Sequence, residues 1–120
     1  MKRAMPSEHA EQKALFQWVE LQYGKYPELK LLYAIPNGGK RHVVTAMKMK
    51  AEGVRPGVPD IHLPVPRNGF SGLWIEMKRK GSKPTPAQMD WATALSFYGH
   101  KWRLCYSWRE AGAEIEEYLK

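Results

Sequence analysis

The spacing of apolar residues along the chain predicts eight elements of secondary structure. Apolar positions recur three and four residues apart over 7–23, which indicates a helix with one buried face. Residues 40–51 and 86–98 are also expected to be helical, and a last helix follows the Ser107–Glu110 capping sequence. Short apolar runs bounded by turn-forming residues predict strands at 31–35, 61–65, 73–77 and 101–106.

Turn and cap residues mark where several of these elements end. Asn68-Gly69 lies between the second and third strands, and this pair favours a tight hairpin turn. Thr85, Pro86 and Gln88 are typical of a helix start, with Thr as the cap and Gln three residues later. The order helix, strand, helix, strand, strand, helix, strand, helix predicts a mixed sheet of about four strands flanked by helices, an α/β or α+β fold.

The second and third strands each have an apolar face and a polar face, because strand side chains alternate. The predicted core faces consist of Ile61, Leu63, Val65, Leu73, Ile75 and Met77. The opposite face carries Asp60, His62, Trp74, Glu76 and Lys78. A lone histidine such as His62 is more often structural or solvated than part of a site.

The hairpin turn determines which polar residues face one another. A turn centred near Asn68-Gly69 places Asp60 roughly opposite Lys78, with Glu76 one pair along on the same face. Cross-strand neighbours lie about 5 Å apart and diagonal ones about 7–8 Å apart, which is close enough for two carboxylates to share one ion. A slip of one residue would move Asp60 to the other face.

Composition and charge restrict the class of protein. With 120 residues, 43% of them hydrophobic, the chain is expected to form one domain over 1–120 with its own core. A net charge of +7 favours a polyanionic partner, and nucleic acid is the commonest. The single cysteine, Cys105, excludes an intramolecular disulfide and suits a reducing cytoplasm. No apolar stretch resembles a signal peptide or a membrane span, so a cytoplasmic protein is expected.

Asp60, Glu76 and Lys78 are the candidate chemical groups. Carboxylates are the ligands that Mg²⁺ and Mn²⁺ prefer, and such an ion polarises a phosphoryl oxygen and lowers the pKa of its bound water. A lysine two residues beyond Glu76 can orient the nucleophile or stabilise developing charge. A lone Glu-x-Lys is usually an exposed ion pair. The Pro-Asp at a strand start, the shared face and the basic charge together favour metal-dependent phosphodiester hydrolysis.

Pro59-Asp60 followed by Glu76-Met77-Lys78 resembles the PD-(D/E)XK nuclease superfamily. The surrounding motifs are more specific, and they resemble a phage-type VRR-NUC domain, a virus-type replication-repair nuclease. These motifs are IPNGG at 35–39, GVRPGVPD at 53–60, IEMK at 75–78, and Gln88. The resemblance spans about residues 8–119, and it implies a restriction-endonuclease-like α/β core.

The resemblance also implies roles for individual residues. Asp60 and Glu76 would bind Mg²⁺ or Mn²⁺, with the Met77 carbonyl as a further ligand, and Lys78 would be the catalytic lysine. The domain would act as a homodimeric endonuclease on branched DNA, as Holliday-junction resolvases do. It would work in the cytoplasm of a bacterial or phage-infected cell.

Two further site residues carry alternatives. The family pattern implies that Glu8 is an acid of the metal site, although helical spacing alone does not separate Glu8 from Glu11. It also implies that Gln88 is the catalytic glutamine that follows the core motif. Gln88 has a second interpretation as the capping-box glutamine, and the two roles would compete for one side chain.

Basic residues around the site are candidates for contact with DNA. Asn37, Lys40 and Arg41 flank the Gly38-Gly39 turn at a predicted helix start, where a phosphate can bind. Arg79, Lys80 and Lys83 follow the catalytic lysine and are expected to contact the phosphate backbone without reading sequence. Two other functions stay open: a non-catalytic basic DNA-binding module, and an RNA nuclease that uses the same chemistry.

Overall fold

The chain forms a four-stranded mixed sheet with helices on both faces. The computed structural model describes residues 6–36 and 43–120. Its helices are α1 (Glu8–Leu21), α2 (Val43–Ala51), α3 (Pro86–Phe97) and α4 (Trp108–Leu119). Its strands are β1 (Tyr33–Ala34), β2 (Ile61–Leu63), β3 (Leu73–Met77) and β4 (Lys101–Cys105). The strand order is β1-β2-β3-β4, antiparallel except for the parallel β3–β4 pair. The predicted α/β fold class is confirmed.

Two strands are shorter by two residues or more than the apolar runs that predicted them, and β4 is shorter by one. The run at 31–35 loses its first residues because a 3-10 helix, Pro27–Leu31, precedes β1 and buries Leu29. The run at 61–65 ends at Leu63, because Pro64 and Pro66 have no backbone N–H for the sheet. Hydrophobic spacing does not reveal either effect, since it counts side chains and not hydrogen-bond donors.

The main core lies between one face of the sheet and helices α1 and α4. All six residues predicted for the core faces of the second and third strands are buried. Leu15 and Val19 of α1 and Ile115 and Tyr118 of α4 join the same cluster. Helix α3 packs against the other face, where it adjoins β4. Among the helices in the described part of the chain, none is long and apolar enough to cross a membrane.

The register between β2 and β3 differs from the predicted one. Ile61 pairs with Ile75, and extending this register by one residue places Asp60 opposite Glu76, so the predicted pairing of Asp60 with Lys78 is wrong. The polar face is the same in both registers, because they differ by two residues. Asp60 and Glu76 therefore become direct cross-strand neighbours.

The position of the hairpin turn and an extra residue before it each account for one residue of this two-residue shift. Asn68 and Gly69 form the expected tight turn, with left-handed φ angles of 50° and 85°, closed by a bridge between Arg67 and Phe70. That turn alone would pair Asp60 with residue 77. Three residues separate β2 from the bridge, whereas two separate the bridge from β3, so the pairing moves by one residue.

Candidate active site

Asp60 and Glu76 lie side by side where β2 begins and β3 ends, on the sheet face opposite the main core. Asp60 Oδ2 accepts a hydrogen bond of 2.8 Å from the backbone N–H of Met77, which fixes the carboxylate across the two strands. The backbone N–H of Ile35 donates to the carbonyl of Asp60 at 2.7 Å, so β1 supports the same residue. Glu76 is only 1% exposed. The sheet thus holds one fixed carboxylate beside a buried one.

The surroundings of Glu76 disfavour its ionised form. The pKa of Glu76 is raised from 4.5 to about 8, and burial is the largest cause. The charges of Asp60 and Glu8 and a hydrogen bond shared with Asp60 contribute to this rise, whereas the Lys78 ammonium opposes it. Glu76 Oε2 meets no hydrogen-bond donor in the described residues. A carboxyl pair of this kind needs a shared proton or a cation between its oxygens.

Gln88 fixes the other oxygen of Glu76. Gln88 Nε2 donates to Glu76 Oε1 at 2.7 Å, while Gln88 Oε1 accepts from the backbone N–H of Thr85 at 2.8 Å. Thr85 Oγ1 accepts from the Gln88 backbone N–H at 3.2 Å, which completes the predicted capping box. The prediction that capping and a contact with the site would compete for the Gln88 side chain is therefore wrong, because the two ends of its amide bond different partners. Helix α3 holds Glu76 so that Oε2 stays available.

The loop that leads to Asp60 is pressed against the start of α3. Gly57 has a φ of +87°, and a Cβ at this position would lie 2.6 Å from the backbone carbonyl carbon and oxygen of Ala87. Trp91 Nε1 donates to the Pro56 carbonyl at 3.0 Å, which clamps the same loop. Helix α3 thus contacts the segment before Asp60 as well as Glu76, so it helps to set the distance between the carboxylates.

We expect Gly57→Ala to destabilise the fold by about 1–3 kcal/mol or more, because it adds a steric clash to the cost of a left-handed φ. The displaced loop should also lower any activity that depends on Asp60. Thermal unfolding of the variant measures the first effect. Gly53→Ala is the matched control, since Gly53 has a φ of +97° with nothing within 4 Å of a Cβ. Equal losses in the two variants would show that the contact with α3 is unimportant.

Lys78 and Glu8 approach the carboxyl pair from different elements. The Lys78 backbone N–H donates to the Cys105 carbonyl at 2.9 Å, which continues the β3–β4 pairing beyond Met77. Glu8 begins α1, and its charge acts on Glu76. Glu11 Oε1 instead accepts the backbone N–H of Trp108 at 3.3 Å, at the start of α4. Glu11 therefore links α1 to α4, whereas the charge of Glu8 acts on the carboxyl pair.

The donor set suits a hard divalent cation with open coordination positions. Across residues 6–36 and 43–120, no group of three or more His, Cys, Asp or Glu side chains is arranged to hold a metal ion. Mg²⁺ commonly uses one or two carboxylates and completes its shell with water and substrate phosphate. Asp60 and the free oxygen of Glu76 fit that pattern, because a cation would neutralise their repulsion.

The structure describes three of the six residues that are predicted to contact DNA. Arg79, Lys80 and Lys83 are exposed in the loop that follows β3. Asn37, Lys40 and Arg41 lie outside the residues that the structure describes.

A cluster of aromatic side chains on the same sheet face was not predicted from the sequence. His62 stacks on Trp74 with ring centroids 3.7 Å apart, and its Nδ1 lies 2.7 Å from the Tyr33 hydroxyl. Trp74 Nε1 donates to His100 Nδ1 at 3.2 Å. Burial, followed by the charge of His100, lowers the pKa of His62 to about 4. Strand alternation had placed His62 and Trp74 on this face, but it did not reveal their partners on β1 and before β4.

Comparison with known proteins gives a consistent result. The family model of the VRR-NUC domain matches residues 2–108. A solved structure described as a VRR_NUC domain protein is similar over 97% of this chain and 90% of that chain, with 26% identity and a TM-score of 0.83. Among functionally curated proteins, none matches this chain.

Proposed function

The chain belongs to the VRR-NUC family of nuclease domains, and from this premise we propose that it is a metal-dependent DNA endonuclease. Family membership implies nuclease activity with DNA as the substrate. The proposal adds that the reaction is phosphodiester hydrolysis by an activated water, that Asp60, Glu76 and Lys78 carry it, and that residues 1–120 act as a single nuclease domain. No covalent intermediate with the protein is needed.

The buried, incompletely bonded Glu76 is the observation that carries this proposal. A carboxyl group that is 1% exposed, beside a second carboxylate and with one oxygen lacking a donor in the described residues, is costly for a protein without a cation. Carboxyl groups whose pKa is shifted by burial and by a neighbouring charge are common at catalytic sites. A purely structural ion pair would instead show Glu76 bonded to Lys78 at the surface.

Each residue of the site has a chemical task in this proposal. Asp60 and Glu76 hold Mg²⁺ or Mn²⁺, and the Met77 carbonyl and Glu8 join the ligand set directly or through water. When bound, the ion polarises a phosphoryl oxygen and lowers the pKa of its water. Lys78 orients the attacking water and stabilises the negative charge that develops on the phosphoryl oxygens. Gln88 acts through Glu76, by keeping one of its oxygens occupied.

Within this proposal, the preferred DNA substrate is branched, and the active form of the enzyme is a homodimer. Exposed Arg79, Lys80 and Lys83 beside the site contact the phosphate backbone, and Asn37, Lys40 and Arg41 add to this contact. Such contacts give affinity without reading sequence. Selectivity would then depend on the shape of the DNA and on the spacing of two active sites.

A cleavage panel tests the proposed function. Purified protein is incubated with single-stranded, duplex, flap and four-way-junction DNA and with RNA of matched sequence, in Mg²⁺, in Mn²⁺ and in chelator. We expect metal-dependent cleavage of DNA that is fastest on a branched substrate. Binding to DNA without metal-dependent cleavage would favour a non-catalytic module instead, and faster cleavage of RNA would overturn the choice of substrate. Sedimentation equilibrium distinguishes a dimer from the 13.8 kDa monomer.

A further inference from the structure

Three aromatic side chains form a row across the sheet on the face that carries the carboxyl pair. Tyr33 of β1 pairs with His62 of β2, which pairs with Trp74 of β3. Paired residues of adjacent strands project to the same side of a sheet. We call Tyr33, His62 and Trp74 the aromatic row.

Contacts within the aromatic row hold its members in fixed orientations. His62 lies parallel to Trp74, with an interplanar angle of 11°. Tyr33 meets His62 at an angle of 71°, and its hydroxyl bonds His62 Nδ1. Tyr33 therefore contacts His62 through its hydroxyl end, and His62 does not cover the faces of the Tyr33 ring. Tyr33 is 45% exposed, which leaves its ring accessible from solvent.

The row lies at a defined distance from the carboxyl pair. His62 and Trp74 are each two residues from Asp60 and Glu76 along their strands, and two residues of a strand span about 6–7 Å. One nucleotide occupies about 3.4 Å of axis in a duplex strand and more when it is stretched. A DNA strand whose phosphate lies at the carboxyl pair would thus place a base one or two nucleotides away over the row.

The chemistry of the row suits a base better than a phosphate. Its members are a phenol, an imidazole and an indole, and no lysine or arginine belongs to it. Phosphates are bound mainly by cations and backbone N–H groups, whereas unpaired bases stack on aromatic rings whatever their sequence. We propose that Tyr33, supported by His62 and Trp74, stacks on an unpaired nucleobase one or two nucleotides from the scissile phosphate.

This inference rests on the proposed nuclease function and makes its substrate more specific. A paired base cannot turn its face toward Tyr33 without leaving the duplex stack. The row would therefore favour DNA with an unpaired nucleotide beside the cleavage site, as at a flap or branch point. Selectivity would follow from the structure of the DNA and not from its sequence.

Fluorescence of 2-aminopurine provides a direct test. The base is placed as a single unpaired nucleotide in a DNA duplex, and binding is measured in chelator so that no cleavage occurs. Wild-type protein and Tyr33→Phe should quench 2-aminopurine, because both retain an aromatic ring. Tyr33→Ala and Tyr33→Leu should lose the quenching and bind this DNA about tenfold more weakly, with little change for a fully paired duplex. Tyr33→Leu keeps the site filled if the alanine variant folds poorly.

Tyr98→Ala is the matched control, since Tyr98 is 73% exposed at the end of α3 and contacts Phe97 instead of the row. It should quench as wild type does. Equal behaviour of Tyr33→Leu and wild type would overturn the proposal. Loss of quenching in Tyr33→Phe would overturn it too, because it would show that an aromatic ring at this position is not sufficient. If Tyr33-dependent quenching is found but the cleavage panel shows no hydrolysis, the proposed function fails while the base contact stands.

Discussion

Lys78→Ala is expected to lower the single-turnover rate of DNA cleavage by about 10²–10³-fold, the effect typical of losing one donor that stabilises transition-state charge. The Lys78 ammonium acts on Glu76 through its charge, and the Lys78 backbone stays bonded to the Cys105 carbonyl in the variant, so the substitution removes charge without removing a predicted metal ligand. The rate is measured with saturating Mn²⁺ and excess protein, so that binding does not limit it. Unfolding curves for the variant should match those of wild type.

Lys80→Ala is the matched control for this experiment. Lys80 is exposed in the adjoining loop, and its loss should weaken DNA binding and reduce its dependence on salt. At saturating protein its single-turnover rate should stay near that of wild type. If the two lysine variants cleave at similar rates, Lys78 has no catalytic role.

In chelator, the titration of Glu76 is expected to remove stability from the protein as the pH rises from about 4.5 to about 8. The pKa of Glu76 is near 4.5 in the unfolded chain and about 8 in the folded one, so over this range the unfolded state binds fewer protons. The contribution of Glu76 to the free energy of unfolding therefore falls over this range and becomes level above about pH 8. His62 has the opposite effect below about pH 6.5, because its folded pKa of about 4 is below its unfolded value, so the net loss of stability is clearest between about pH 6.5 and 8. At 1.36 kcal/mol per pKa unit, the full contribution is on the order of 5 kcal/mol.

Glu76→Gln isolates this effect. Glutamine keeps the shape of the side chain and has no charge to bury, so the variant should be more stable than wild type above pH 8 in chelator. Urea unfolding at several pH values gives the difference. Glu52→Gln is the control, because Glu52 is exposed beyond the end of α2. If the free energy of unfolding depends on pH in the same way in wild type and in Glu76→Gln, Glu76 does not have a raised pKa in the folded protein. Added Mn²⁺ should remove the advantage of the variant.

Strand alternation was sufficient to predict that Asp60 and Glu76 share one face of the sheet. Asp60 and Glu76 share a face in any register that differs by two residues, so the pairing error did not separate them. The register itself depends on one extra residue between β2 and the turn. Local spacing does not encode that residue, because its effect appears only when two strands are aligned.

The neighbours of the site were harder to predict, because they depend on contacts between distant elements. Gln88 was predicted as a cap and as a site residue, but only the packing of α3 shows that its amide bonds both Thr85 and Glu76. The separation of Glu8 from Glu11 likewise depends on where α4 begins. Tyr33 belongs to a strand of two residues, too short to display an alternating pattern.

Electron paramagnetic resonance of Mn²⁺ tests the central claim most directly, because protein-bound Mn²⁺ loses the sharp signal of the free ion. Titration of wild-type protein at pH 8 should show saturable binding that Mg²⁺ displaces. Glu76→Gln should weaken this binding strongly, while Glu52→Gln should leave it unchanged. If Mn²⁺ binds equally well to wild type and to Glu76→Gln, the buried carboxyl pair is not a cation site.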